Sequence, residues 1–207
     1  MRRIFVGFLI IFILSACSQG KDFDTTEEED DEIIDTEDVE VPGEIFTSEK
    51  QNYEIDEEEM KLSIKTYLDS HNELDEASYP FQDAMYEEKE LNKNEFEKLA
   101  RITELTKEND VNFSNYISNN TLPEGYQGES ERISQYITAY NALLYEVDEM
   151  FNNLMDDANK GEVPKINIKS IMSKTDVVNG REQNKIEAFL DKKNIKTKAF
   201  GLGASEE

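Results

Sequence analysis

The sequence predicts an all-α fold: a small bundle of about four helices, set behind an N-terminal signal segment and an acidic, disordered tether. Three observations carry that prediction. Apolar residues recur with a 3.6-residue period in three long segments beyond residue 57. Turn-forming steps separate those segments, and the one alternating stretch is too short to build a stable sheet. Charge is also unevenly placed. Residues 22–59 hold nineteen Asp and Glu against a single lysine, Lys50, whereas residues 160–207 hold ten basic residues against seven acidic ones.

The chain starts with a positive pair, Arg2 and Arg3, followed by eleven residues without a polar side chain, Ile4 to Leu14. That run has the length of a signal-peptide core and falls short of the roughly 18–20 residues a helix needs to cross a bilayer. Leu14-Ser15-Ala16-Cys17 then resembles the lipobox of bacterial lipoproteins. The resemblance implies a thioether-linked diacylglyceryl group on Cys17 and cleavage between Ala16 and Cys17, which makes residues 1–16 a removable signal. It also implies handling by lipoprotein-processing enzymes and a lipid anchor on the extracytoplasmic face of the cell membrane. Cys17 is the only cysteine in the 207-residue chain, so an intrachain disulfide is impossible. Two acyl chains, at about 0.8 kcal/mol per buried CH₂, suffice for stable anchoring where one is marginal.

Residues 17–57 are expected to form the lipidated tether. The run through Glu27–Glu32 is too charged and too poor in apolar residues to bury a core. A flexible chain of about 40 residues spans roughly 35 Å, and self-repulsion extends it. The tether lacks the D-x-D-x-D-G spacing of a calcium loop, so spacing is its expected role. A net charge of −25 argues against a nucleic-acid partner, because a phosphate backbone would be repelled over most of the surface.

The helical domain is expected to cover residues 58–200, with 201–207, including Gly201-Leu202-Gly203, as a flexible tail. In its first helix Met60, Ile64, Tyr67, Leu68, His71 and Leu74 share a stripe. The second starts a face at Phe96, Leu99, Ala100, Ile102 and Thr103 that continues toward Tyr116 and Ile117. The third runs for six turns through Ile133, Tyr136, Ile137, Tyr140, Leu143, Leu144, Val147, Phe151 and Leu154, until Gly161 and Pro164 stop it. A fourth is predicted over Gly180–Lys193, with Asn179 as N-cap, Glu182 at the capping-box position, and Ile186, Phe189 and Leu190 as its stripe. Residues 163–171 read as a short extended stretch packed on helices. Tyr79-Pro80 and Leu122-Pro123-Glu124-Gly125 mark two of the turns.

Midway along the chain Asn109-Asp110-Val111-Asn112-Phe113 reads N-D-x-x-F, and downstream come ERISQYITAYNALLYEVDEM and NGREQNKIEAFLDKKNIKT. In that order, behind a lipobox, the chain resembles the NDxxF-motif lipoproteins of low-GC Gram-positive bacteria from roughly Glu44 to Phe200. The family is named for a motif, so the resemblance carries over no catalytic residue. Read physically, Asn109 and Asp110 have short polar side chains that bond nearby backbone and could end or kink a helix, while Phe113 anchors the following turn in the core.

Catalytic constellations are scarce. His71, the only histidine, falls on an apolar stripe and is expected to be a satisfied, partly buried residue. With no second His or Cys in the mature domain, a zinc or copper site is not expected. The chain has no G-x-S-x-G, P-loop or dinucleotide turn, so no cofactor or enzymatic activity is expected. Tyr136 and Tyr140 lie one turn apart, with Tyr145 off their line, and are expected in the core with hydroxyls at its rim. These features point to a non-enzymatic binding module of the cell envelope. An alternative places the biological output in the released signal peptide: its last seven residues, IIFILSA at 10–16, resemble lipoprotein-derived pheromones, which would leave the helical domain incidental.

Overall fold

The computed structural model describes residues 35–87, 89–160 and 174–201, with the backbone alone for 147–160. Four helices follow one another: α1 (Glu57–Tyr86), α2 (Lys93–Asn119), α3 (Gln127–Lys160) and α4 (Gly180–Lys193), ending in a 3-10 turn at Ala199–Gly201. The short connections after α1 and α2 make the first three helices antiparallel neighbours. α1 packs on α2, α2 on α3, α4 on α3, and the final turn returns to α1. The all-α bundle expected from periodicity is what forms. Among the described residues extended pairing is limited to one bridge, between Glu54 and Thr121.

α1 is capped by Asp56, whose carboxylate accepts the Glu59 N–H at 2.9 Å, and Glu57, Glu58 and Glu59 lie at the positive end of the helix dipole. Its whole expected stripe, Met60 to Leu74, is buried. The turn expected at Tyr79-Pro80 does not occur, because α1 continues through Pro80 to Tyr86. Proline removes one hydrogen bond and crowds the preceding turn. Burial of Phe81 and Ala84 just beyond it offsets that cost, since stopping the helix at Tyr79 would expose both.

α2 starts with a full capping box. Asn92 accepts the Asn94 and Glu95 N–H groups, and the Glu95 carboxylate accepts the Asn92 N–H at 2.6 Å. That box turns Glu95 inward, where it also accepts the Thr36 hydroxyl. Phe96, expected at the start of the apolar face, therefore points outward and is 64% exposed. The true inward face runs through Glu95, Ile102, Leu105, Asn109, Phe113 and Tyr116.

The expected turn at Leu122–Gly125 does form: Gly125 has φ +82°, and Tyr126 N–H donates to the Pro123 carbonyl. In α3 Ile133, Tyr136 and Ile137 are buried, and Tyr140, Leu143 and Leu144 are half-buried. The side chains of Val147, Phe151 and Leu154, the Gly161 and Pro164 stop, and the 163–171 stretch lie outside the described residues. α4 has the predicted bounds. Asn179 accepts the Arg181 and Glu182 N–H groups, and Asn194 closes the helix in the left-handed region at φ 55°. Glu182 pairs with Lys185 and Arg132. Residues beyond α4 fold back onto α1, where the Asp69 carboxylate accepts the Thr197 hydroxyl and the Lys198 N–H. Residues 202–207 lie outside the described residues.

The largest departure from expectation is the segment before α1. Residues 35–56, expected within a disordered tether reaching residue 57, form a strap laid across the helices. Val39, Phe46 and Ile55 are 6%, 4% and 4% exposed. Asn52 and Ile55 donate N–H groups to the carbonyls of Asn119 and Thr121, and Thr121 N–H donates to the Tyr53 carbonyl. Burying one such side chain stabilises by about 1.5–3 kcal/mol, enough to hold an acidic segment that has three of them.

Two cores result. One joins Phe46 and Ile55 of the strap to Met60, Ile64, Tyr67 and Leu68 of α1, Phe113, Tyr116 and Ile117 of α2, the start of α3, and α4. The other, smaller core joins Val39 to Leu74, Phe81, Ile102 and Leu105.

Candidate functional site

The N-D-x-x-F residues lie in the middle of α2 and face three other parts of the chain. Asn109 Oδ1 accepts the Phe46 N–H at 2.9 Å, and its Nδ2 donates to the Tyr67 carbonyl at 3.2 Å. Asn112 donates to the Phe46 carbonyl at 3.0 Å, so two asparagines grip one residue of the strap by both its peptide groups. The Asp110 carboxylate accepts the Tyr67 hydroxyl at 2.8 Å and the Asn141 Nδ2 at 3.0 Å, tying α2 to α1 and α3. Phe113 stacks on Tyr67 with ring centroids 4.1 Å apart and meets Phe46 edge-on.

This arrangement corrects the local reading of Asn109 and Asp110. They neither end nor kink a helix, since α2 runs unbroken to Asn119. Their side chains satisfy backbone and side-chain groups 31 to 63 residues away in sequence. Phe113 does sit in the core, fully buried. Burial pushes the Asp110 pKa up, and burial beside that carboxylate pushes the Tyr67 phenol well above its usual range.

Asn141 also lines a groove of about 180 Å³ between α1, α2 and α3. Its walls are mainly apolar, with Leu74, Leu99, Ile102 and Leu144 among them. Two ionisable side chains enter it from α1: His71 and, one turn later, Asp75. Neither has a hydrogen bond or an ion pair among the described residues. His71 meets the Tyr140 ring edge-on at 5.8 Å, and burial lowers its pKa to about 4, so the imidazole is neutral at physiological pH. Burial, and then the neighbouring Glu76 charge, raise the Asp75 pKa. His71 is thus buried as the sequence suggested, but it lacks the partner expected for it.

Tyr136 is buried with its hydroxyl donating to Gln183 Oε1, whereas Tyr145 is 37% exposed beneath Lys107 Nζ. A second hollow, of about 240 Å³, lies between α3 and the start of α4. Its one arginine, Arg132, is already paired with Glu129 and Glu182. Among the described residues no group of three His, Cys, Asp or Glu side chains could hold a metal ion, and no helix is long and apolar enough to cross a membrane.

Ala16 and Cys17 lie outside the described residues. Residues 1–18 match the model of the prokaryotic membrane lipoprotein lipid attachment site. The chain is a membrane-anchored lipoprotein. No curated protein and no solved structure matches it. Within this lipoprotein, residue-by-residue reading had missed Asp75, Asn112 and Asn141. Each is a polar residue in a chain rich in polar residues, and only its tertiary neighbours set it apart.

Proposed function

We propose that this lipoprotein is displayed on the extracytoplasmic face of the cell membrane through a diacylglyceryl group on Cys17. Its helical domain acts there as a non-enzymatic binding module of the envelope. We further place it with the NDxxF-motif lipoproteins. The observation that carries the reading is the lipid attachment site at residues 1–18, on a chain whose remainder builds a helical domain with an open, partly polar groove. Support for the family placement comes from the way Asn109, Asp110 and Phe113 act together. A five-residue motif that staples the N-terminal strap to two helices is a unit that a family would keep for its fold. Support for a non-enzymatic role comes from the scarcity of catalytic constellations in the sequence and from the burial of its single histidine.

Two experiments test this. Cys17→Ser should abolish metabolic lipid labelling of the protein, and continued labelling would refute the anchor. In-cell crosslinking of the intact lipoprotein should recover a specific envelope component. A crosslinking pattern identical to that of an unrelated lipoprotein of equal abundance would remove the binding role. A second reading rests on the seven residues IIFILSA at 10–16. It makes the released signal peptide a pheromone-like signal, and it ends if the synthetic heptapeptide draws no response from recipient cells.

A further inference from the structure

We propose that the groove between α1, α2 and α3 binds a small organic cation: a primary amine on a short apolar chain. Its ammonium group would be held by Asp75 and His71, with the chain lying against Leu74, Ile102 and Leu144. This inference rests on the reading of the domain as a binding module and names a ligand class for it.

The first argument is the unpaired carboxylate. Asp69 and Glu182, which are also half-buried, have their charge met: Asp69 by Lys65, Thr197 and the Lys198 N–H, and Glu182 by Lys185 and Arg132. Asp75 has no such partner among the described residues, and no lysine or arginine lines the groove. A carboxylate drawn out of water without a cation is costly, and an arriving cation recovers that cost.

Donor and acceptor chemistry narrows the class. His71 and Asp75 are four residues apart on one helix, hence neighbours on the same face. A neutral imidazole offers one lone pair and a carboxylate offers two oxygens, which together match the three N–H donors of an ammonium group. An inorganic divalent ion would want more charged or imidazole ligands than these two, and no third His, Cys, Asp or Glu joins them among the described residues.

The rest of the groove sets size and polarity. Its walls are mainly apolar, which suits a hydrocarbon chain. A volume of about 180 Å³ compares with the ~150 Å³ apolar cavity that takes up benzene, so a chain of about five carbons fits. The net charge of −25 concentrates cations around the molecule and repels carboxylates and phosphates.

The test is calorimetric titration of the full-length lipoprotein in detergent micelles with pentylamine, using pentan-1-ol and pentanoate as matched neutral and anionic probes. Pentylamine should bind saturably at one site, and the other two should not. Asp75→Asn should weaken the amine at least tenfold, and His71→Gln should weaken it several-fold. Glu97→Gln, which removes an exposed acid on α2 that does not line the groove, should leave it unchanged. If Asp75→Asn loses its helical circular dichroism, Leu144→Trp serves in its place, filling the groove without touching its charge, and should abolish binding.

Equal binding of pentanol, an equal loss with Glu97→Gln, or no pentylamine binding would each overturn the proposal. A protein that ignores pentylamine yet still yields a specific crosslinked partner would lose the amine site and keep its binding-module role. One that binds neither would lose both.

Discussion

The two ends of the bundle are built from the same three helices but handle polar groups in opposite ways. At the end holding Tyr67, Asn109, Asp110 and Phe113, each of the polar side chains named has a partner and the rings stack or meet edge-on. At the end holding Leu74, Phe81, Ile102 and Leu105, the core is smaller, and beside it His71 and Asp75 open into a groove with nothing to bond. Satisfied buried polar groups make a region rigid and specific, while polar atoms that face an open groove without a protein partner are free to meet a ligand. The first end is therefore the fold's clamp, and the second is where binding is possible.

The comparison can be broken most directly at the clamp. Phe113→Ala should destabilise the protein by about 3–5 kcal/mol in urea denaturation, because it removes a fully buried ring from contact with Tyr67 and Phe46. A loss under about 1 kcal/mol would mean that this end is no better packed than the other.

His71 gives the next effect, and its sign is fixed by burial. Its folded pKa lies near 4, below the unfolded 6.5, so between those values the unfolded chain binds a proton that the folded one refuses. The stability it contributes is complete above pH 6.5 and is lost as pH falls toward 4, by about 3 kcal/mol in total. Asp75 and Asp110, whose pKa values are raised, work in the opposite sense, gaining stability as pH falls. The quantity to measure is thus the stability difference between wild type and His71→Gln across that window. A difference that does not change with pH would show that the imidazole is freely hydrated.

Asn109→Ala should cost about 1–3 kcal/mol, since it leaves the Phe46 N–H buried without a partner and removes a second bond from the Tyr67 carbonyl, which keeps its helical one. Hydrogen exchange should then show the strap losing protection at Phe46 before the helices do, and a uniform loss would detach the motif from the strap. The smallest effect is expected at the groove. Thr103→Leu fills space there and should stabilise by about 0.5–1 kcal/mol while blocking any ligand, whereas destabilisation would mean that the groove is already full.

Some of this was legible from one-dimensional pattern. The α1 stripe and the whole of α4, from the Asn179 cap to Lys193, follow from spacing and local capping chemistry. The strap was not legible, because Val39, Val41, Ile45, Phe46 and Ile55 are a few apolar residues among acids, with no helix or strand period sustained across them. The α2 face was misread at its start for a related reason. Glu95 and Asn109 occupy inward positions where a hydrophobicity pattern expects apolar residues, and both are inward because of what they bond.

The sequence by itself determined the lipid attachment site, the helical fold class and the bounds of α4, since each depends on residues within a few positions of one another. Only the tertiary structure decided that α1 runs through Pro80, that the segment before α1 is a strap, and that the N-D-x-x-F motif is a clamp. It alone also decided that His71 and Asp75 open into a groove. The physical reason is common to all four. Each turns on a burial or a hydrogen bond between groups far apart in the chain, and such a balance exists only once the helices have packed.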